Sequence, residues 1–273
     1  MIDTHAHLTS PAFISDLPIV LTRARTTGIS SIICVSETLS DAHAVLNLTA
    51  AHPGFLHPAL GLHPEHVTTL APAQLSAALS GITSLLQTTP AVAIGEVGLD
   101  YTPRVLSLAA SAADAKRLQA DAFAHFLSMS QQLALPLSVH SRAAGHHALA
   151  HVVEAARRAP VAVCMHAFDG RAVHAERALR SVPEGLYFSV PPSVVRDDQL
   201  RKLVRRVPTE RLLLESDAPA LAPSRGERNE PANLVRAAEI IAEVKGVDVA
   251  AVRQTLAENT ERLFTKVTPT FIT

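Results

Sequence analysis

The sequence predicts an α/β protein, a (β/α)8 or TIM barrel, on three observations. Eight short aliphatic runs alternate with longer stretches of helical character, at intervals of roughly 30 residues. The composition suits strands buried on both faces: 48% of the 273 residues are hydrophobic, but aromatics supply only 4% and Trp none, so Val, Ile, Leu and Ala must do the packing. Residues of metal-ligating type also recur at the ends of the runs, where a barrel gathers side chains from all its strands. A doubly wound open sheet shares the alternation. The count of eight and the convergent polar ends favour closure, and the length fits one barrel domain over residues 1–273.

The first run, Ile2–His5, leads into Asp3-Thr4-His5-Ala6-His7. Residues two apart in an extended chain face the same side, so His5 and His7 can point at one ion. Runs two and three are Ser31–Ser36 and Leu56–Gly61. The third opens onto Gly61-Leu62-His63-Pro64, where His63 is a candidate substrate contact and an acid beside a leaving oxygen. The fourth, Ala91–Val97, carries Glu96 between two glycines. A carboxylate there is costly to bury unless it meets a cation or a proton, and it suits bridging two ions. Asp100 is a helix cap or an orienting group. The Ala/Ser-rich stretch Thr102–Asp114 reads as a rim over the site or as a solvated loop into a helix. That helix keeps Leu118, Ala122, Phe126, Met129 and Leu133 on one face.

Runs five and six, Leu135–His140 and Val161–His166, both end on histidine, which adds His140 and His166 to the candidate ligands. Arg142 clamps a phosphate or simply begins a helix, and Asp169 reads as the cap of the next helix. The seventh, Leu186–Val190, stops at Pro191-Pro192, a rigid turn because neither residue can donate to a ladder. The eighth, Arg211–Glu215, exits through Ser216 and Asp217. Asp217, farther out, is the candidate ligand and general base, and Glu215 the group that orients a nearby imidazole; the two assignments could be exchanged. Arg228-Asn229-Glu230-Pro231 precedes a helix, so Arg228 and Asn229 either cap it or hold a phosphate oxygen. A last helix over about 247–264, with Val252, Leu256 and Leu263 on one face, is expected on the barrel's outside. The nine other histidines, among them His146 and His174, read as surface or packing residues.

A net charge of −1 lacks the basic excess of a purely electrostatic nucleic-acid binder, although an enzyme gripping one phosphate through a metal needs none. Cys34 and Cys164 lie inside apolar runs and read as small buried hydrophobes. No run approaches the ~18 apolar residues of a membrane span. The chain opens on strand residues with no basic segment before them, so a cleaved signal peptide is not expected. A monomer in the cytoplasm or nucleus is the expectation.

Taken together, DTHAHL at 3–8, GLHP, AIGEVGLDY, LPLSVHSR, HAFDG at 166–170, LLLESDAP, RNEP and ENTERLF at 258–264 resemble, in order and over nearly the whole chain, the TatD family of metal-dependent deoxyribonucleases. HAFDG and FSVPPSVV at 188–195 look most like the third group of animal TatD-domain paralogues. The resemblance implies an amidohydrolase-like barrel with two divalent ions, one on His5, His7, Glu96 and Asp217, the other on Glu96, His140 and His166. Zinc, magnesium and manganese all suit such oxygen and nitrogen ligands. It also implies hydrolysis of DNA, including removal of nucleotides from a 3′ end, with Asp217, Glu96 and His63 as catalytic candidates. The alternative keeps the site and changes the bond, to an amide or ester, including an aminoacyl ester. A metal-binding scaffold without turnover is a third possibility.

Overall fold

The computed structural model describes residues 1–267. Its strands are β1 (Ile2–Ala6), β2 (Ser31–Val35), β3 (Leu56–Leu60), β4 (Ala93–Gly98), β5 (Leu137–His140), β6 (Val163–Met165), β7 (Leu186–Val190) and β8 (Leu212–Leu214). Each pairs in parallel with the next. All eight expected strands are present; the differences lie in a residue or two at their ends. Closure between β8 and β1 runs through an Ala6–Ala218 bridge, with His7 N donating to Ala218 O and Asp217 N to His5 O, both at 2.8 Å.

Two separate apolar clusters show which way each strand residue faces. Ile32, Cys34, Ile94, Val139, Val163 and Leu212 pack with helix residues such as Val20, Leu21 and Val45, and so face outward. Ile33, Ala59, Ala93, Cys164 and Leu213 form a second cluster that includes no helix residue before Leu263, which only the barrel interior can supply. The final helix, Val249–Leu263, sits where expected, but its end does more than lie outside. Leu263, Phe264 and Val267 join the interior cluster and plug the floor of the barrel. The opposite mouth is left open for polar groups.

Most other sequence readings hold. The helix Ala112–Leu133 buries Ala122, Phe126 and Met129, with Leu118 and Leu133 half-buried. Thr102–Asp114 is partly ordered as a short helix, Pro103–Leu106, tied down by two Arg104–Glu65 hydrogen bonds of 2.6 and 2.5 Å. Pro192–Val195 forms a 3-10 turn. Asp169 does not cap a helix: its Oδ2 accepts from Ala143 N at 3.0 Å, joining the loops after β6 and β5. Asp100 is not the cap of the helix Pro103–Leu106, which begins after Thr102; its Oδ1 accepts from Thr102 N, and its Oδ2 lies 3.3 Å from His140 Nε2, the orienting position.

Candidate metal centre

Two β-bulges aim the principal ligands inward. On β1, Asp3 and Ala6 pair with Ile32 and Cys34, three residues against two. The extra residue reverses the alternation: Ile2 faces the interior, Ala6 faces the helices, and His5 and His7 point into the mouth. On β4, Ile94 and Val97 pair with Leu137 and Val139, again three against two. Both Ile94 and Val97 therefore face outward, and Glu96 turns inward. The glycines around it are sterically required. A Cβ on Gly95 would lie 2.8 Å from Ser138 Cβ, and one on Gly61 would lie 2.6 Å from the carbonyl carbon of Gly95.

At the centre, His5 Nε2 and His7 Nε2 are 3.2 Å apart. Glu96 Oε2 lies 3.4 Å from the first and 3.3 Å from the second, and Asp217 Oδ1 lies 3.8 and 3.5 Å from them. Donors with ~2.1 Å bonds to a tetrahedral ion stand about 3.4 Å apart, close to these distances, and the ligand atoms of His5, His7 and Asp217 all lie within 4.8 Å of one another, so the site fits a cation. His5 Nδ1 contacts Ser138 Oγ at 2.8 Å, and His166 Nδ1 contacts Glu215 Oε2 at 2.8 Å, which fixes each ring with Nε2 facing the centre. Glu215 thus orients an imidazole, and it also accepts from Ala167 N at 2.9 Å and from the Ser189 hydroxyl. This outer support is typical of metal-binding histidines.

The second grouping is looser. His140 Nδ1 is 2.6 Å from Glu96 Oε1, a hydrogen bond rather than the edge of a coordination shell. His166 Nε2 stands 3.7 Å from both Glu96 Oε1 and Asp217 Oδ1, and its ring stacks on His5 at 3.7 Å. The ligand atoms of His5, Glu96 and His166 cluster within 4.8 Å, as do those of His63, Glu96 and His140. His166 is therefore grouped with His5, and His63 takes the place beside His140.

Electrostatics follow from burial. Desolvation opposes ionisation of Glu96 and Asp217, but the surrounding imidazoles outweigh it and hold both carboxyls below their ordinary values. Burial likewise opposes protonation of His140, yet Glu96 and Asp100 raise it to about 9. Against the same penalty, Glu215, Asp217 and Glu96 raise His166 to about 10. A site that draws protons so strongly onto buried rings is one where a divalent cation competes well. His5 and His63 are the exceptions: burial dominates and lowers both, His63 to about 3. His63 Nδ1 accepts from Glu65 N at 3.1 Å, so the neutral ring carries its proton on Nε2, 3.9 Å from Glu96 Oε1.

These groups line a cavity of about 370 Å³. Arg142 lines a neighbouring cavity of about 260 Å³, whose wall also includes His140, His166 and Asp217. Its guanidinium is exposed and makes no side-chain hydrogen bond or ion pair among the described residues. Two expected substrate contacts are corrected. Arg228 is committed to Asp16, with two 2.7 Å hydrogen bonds, and to Ala12 O. Asn229 is fully buried, donating to Ser216 O at 2.7 Å and accepting from Asn233 Nδ2 at 2.9 Å. Both hold the loop after β8, and neither lines a cavity at the mouth. Glu37 was overlooked: its carboxylate lies within 4.8 Å of ligand atoms of His7 and Glu96. The signal was available, since it is a carboxylate immediately after an aliphatic run, like the others.

A barrel with this ligand set at its open mouth is the design of a metal-dependent hydrolase. The TatD-related DNase model matches residues 2–265, and the chain belongs to that family. Human deoxyribonuclease TATDN3 is 36% identical across 98% of this chain and 95% of its own, in keeping with the third-paralogue motifs. The 3′-5′ ssDNA/RNA exonuclease TatD of Edwardsiella piscicida is 32% identical, covering 97% of this chain and 99% of its own. The crystal structure of the TatD homologue YjjV from Escherichia coli superposes with a TM-score of 0.84 at 26% identity, over 97% of this chain and 98% of that one. A β-aspartyl dipeptidase from Fervidobacterium islandicum, at 10% identity and a TM-score of 0.63, shares the fold alone. No helix among the described residues is long and apolar enough to cross a membrane.

Proposed function

We propose that the protein is a two-metal phosphodiesterase that removes nucleotides from the 3′ end of single-stranded DNA. The observation that carries this reading is Glu96, whose two oxygens face different groups of imidazoles: Oε2 faces His5 and His7, and Oε1 faces His140, His166 and His63. Two divalent cations would fit this arrangement: His5, His7, Glu96 and Asp217 would hold the first, and Glu96, His140 and His166 would hold the second, with His166 reaching Glu96 Oε1 at 3.7 Å. Bound there, zinc, magnesium or manganese supplies a water of lowered pKa and neutralises charge on the phosphate.

The chain's own groups do the rest. Asp217 Oδ1, at the exit of β8, takes the proton of the attacking water. His63 presents Nε2–H from the far side of Glu96 and donates to a phosphate or leaving oxygen. Arg142, free in the adjoining cavity, steadies the phosphate in line for attack. Among the relatives, human TATDN3 is a deoxyribonuclease and the Edwardsiella piscicida TatD a 3′-5′ ssDNA/RNA exonuclease, which supports a nucleic-acid substrate.

The test is stripped protein, reloaded with one metal at a time, on DNA labelled at either end, with His140→Ala as control. Stepwise shortening from the 3′ end that depends on metal and is lost in the variant is expected. Amide substrates and aminoacyl-tRNA run in parallel; turnover of these without turnover of DNA overturns the reading.

A further inference from the structure

The cavity at Arg142 continues away from the metal centre. It shares Asp169 with a further cavity of about 450 Å³ at the outer edge of the mouth, lined by Gly170, Arg171, His146 and His174. That cavity in turn shares His146 and His174 with a shallow groove running down between the helices Gly145–Ala156 and Ala172–Ser181, past Arg177. The result is one furrow, starting at His140, His166 and Asp217 and leaving the barrel on the β5–β6 side. Its outer part, over His146–Val153 of one helix and His174–Ser181 of the other, is roughly 10 Å long.

Its charge is what identifies an occupant. Arg23, Arg104, Arg157, Arg206 and Arg228 are each paired with a carboxylate, whereas Arg180, Arg205 and Arg225 are exposed without one among the described residues but line none of these cavities. Arg142, Arg171 and Arg177 are exposed and have no such partner among the described residues. Besides Asp217 at its inner end, two acids line the furrow, and each accepts from main-chain amides. Asp169 Oδ2 accepts from Ala143 N, and Asp197 Oδ1 accepts from Gln199 N and Leu200 N. Between the arginines, the rings of His146 and His174 lie 5.7 Å apart, and His147 packs on His146 at 3.8 Å. Unpaired cations spaced along a groove, with flat rings between them, match alternating phosphates and bases.

We propose that this furrow carries the single-stranded polynucleotide upstream of its reacting end, with Arg171 and Arg177 on backbone phosphates and His146 and His174 against bases. The proposal rests on the nuclease reading and adds the path of the strand. It also explains how a chain with a net charge of −1 can hold a polyanion: three arginines without carboxylate partners lie along one furrow.

The test compares wild type, the double variant Arg171→Ala/Arg177→Ala and a charge-matched control, Arg236→Ala/Arg262→Ala, all metal-loaded. The probes are fluorescent phosphorothioate strands of 3 and 12 nucleotides, with affinity read by anisotropy across a salt series. The double variant is expected to bind the 12-mer about tenfold more weakly. Its log-log salt slope should fall by roughly 1.4, two single-strand phosphates at about 0.7 each. Binding of the 3-mer and hydrolysis of bis(4-nitrophenyl) phosphate should be unchanged, and the control should match wild type on every probe. An unchanged 12-mer affinity and slope, a loss equal to that of the control, or an equal loss on the 3-mer overturns the path. Failure of wild type to bind either strand overturns the nuclease reading itself.

Discussion

Strands β1 and β4 deliver their ligands through bulges, whereas β5 and β6 deliver theirs by plain alternation. On β5, Leu137 and Val139 face the helices, and Ser138 and His140 face inward. On β6, Val163 and Met165 face out while Cys164 and His166 face in. A regular β1 with Ile2 inside would instead turn His5 and His7 toward the helices, and a regular β4 with Ala93 inside would do the same to Glu96. The difference teaches that one half of the centre depends on period-two sterics and the other half on a local break in that period. The bulged strands carry the tighter set, His5, His7 and Glu96, with edges of 3.2 to 3.4 Å.

The comparison is broken most directly at Glu96, where the halves meet. Glu96→Ala removes the one group facing His5, His7, His140 and His166 together. The expected loss in kcat/KM is at least about 10³-fold, larger than for His140→Ala, with metal content reduced by elemental analysis. Full metal content with near-normal turnover would show that the two halves do not share a centre through this carboxylate.

A smaller effect sharpens the contrast between bulged and regular strands. Gly95→Ala places a methyl 2.8 Å from Ser138 Cβ, and Ser138 Oγ holds the His5 ring. Overpacking of this kind costs about 1–3 kcal/mol, and the displaced ring should weaken metal binding by roughly tenfold or more. Cys164→Ala, on the regular β6, removes a buried thiol from the interior and touches no ligand. It should lower Tm by a few degrees at about 1 kcal/mol and leave metal affinity unchanged. Chelator competition and thermal melts on both variants give the comparison; equal metal affinities would remove the special role of the bulge.

The same contrast explains what was legible in the sequence. Strand positions follow from aliphatic runs, and all six proposed ligands do converge, because strand ends meet at one mouth whatever the details of the fold. The bulges are not legible, since DTHAH and AIGEVG look the same with or without an extra residue in the pairing. Nor was the division of imidazoles. His166 lies beside His5 and Asp217, and His63 beside His140, because ring placement depends on Ser138, Glu215 and Glu65, none of them a chain neighbour except Glu65. The final helix showed its apolar face, but Phe264, which closes the barrel floor, lies just past its end. Glu37 follows the second run directly, as the ligands follow theirs, so its absence from the expected set has no structural cause.

The weakest expected effect separates two arginines that look equivalent in sequence. Arg142 and Arg228 both follow a strand bearing site residues, and both invite a phosphate. A guanidinium binds whichever acid is nearest, and chain position does not reveal an acid that lies 212 positions away: Arg228 is held by Asp16. That pair is surface-exposed and of little energetic consequence. Arg228→Ala should therefore leave kcat/KM on single-stranded DNA within about twofold of wild type, while Arg142→Ala, removing a cation with no protein partner beside the centre, should lower it by about tenfold or more through KM. Steady-state kinetics on one labelled strand decide it. Equal losses in the two variants would mean that the Asp16 pair opens when substrate arrives, and that the loop after β8 belongs to the site after all.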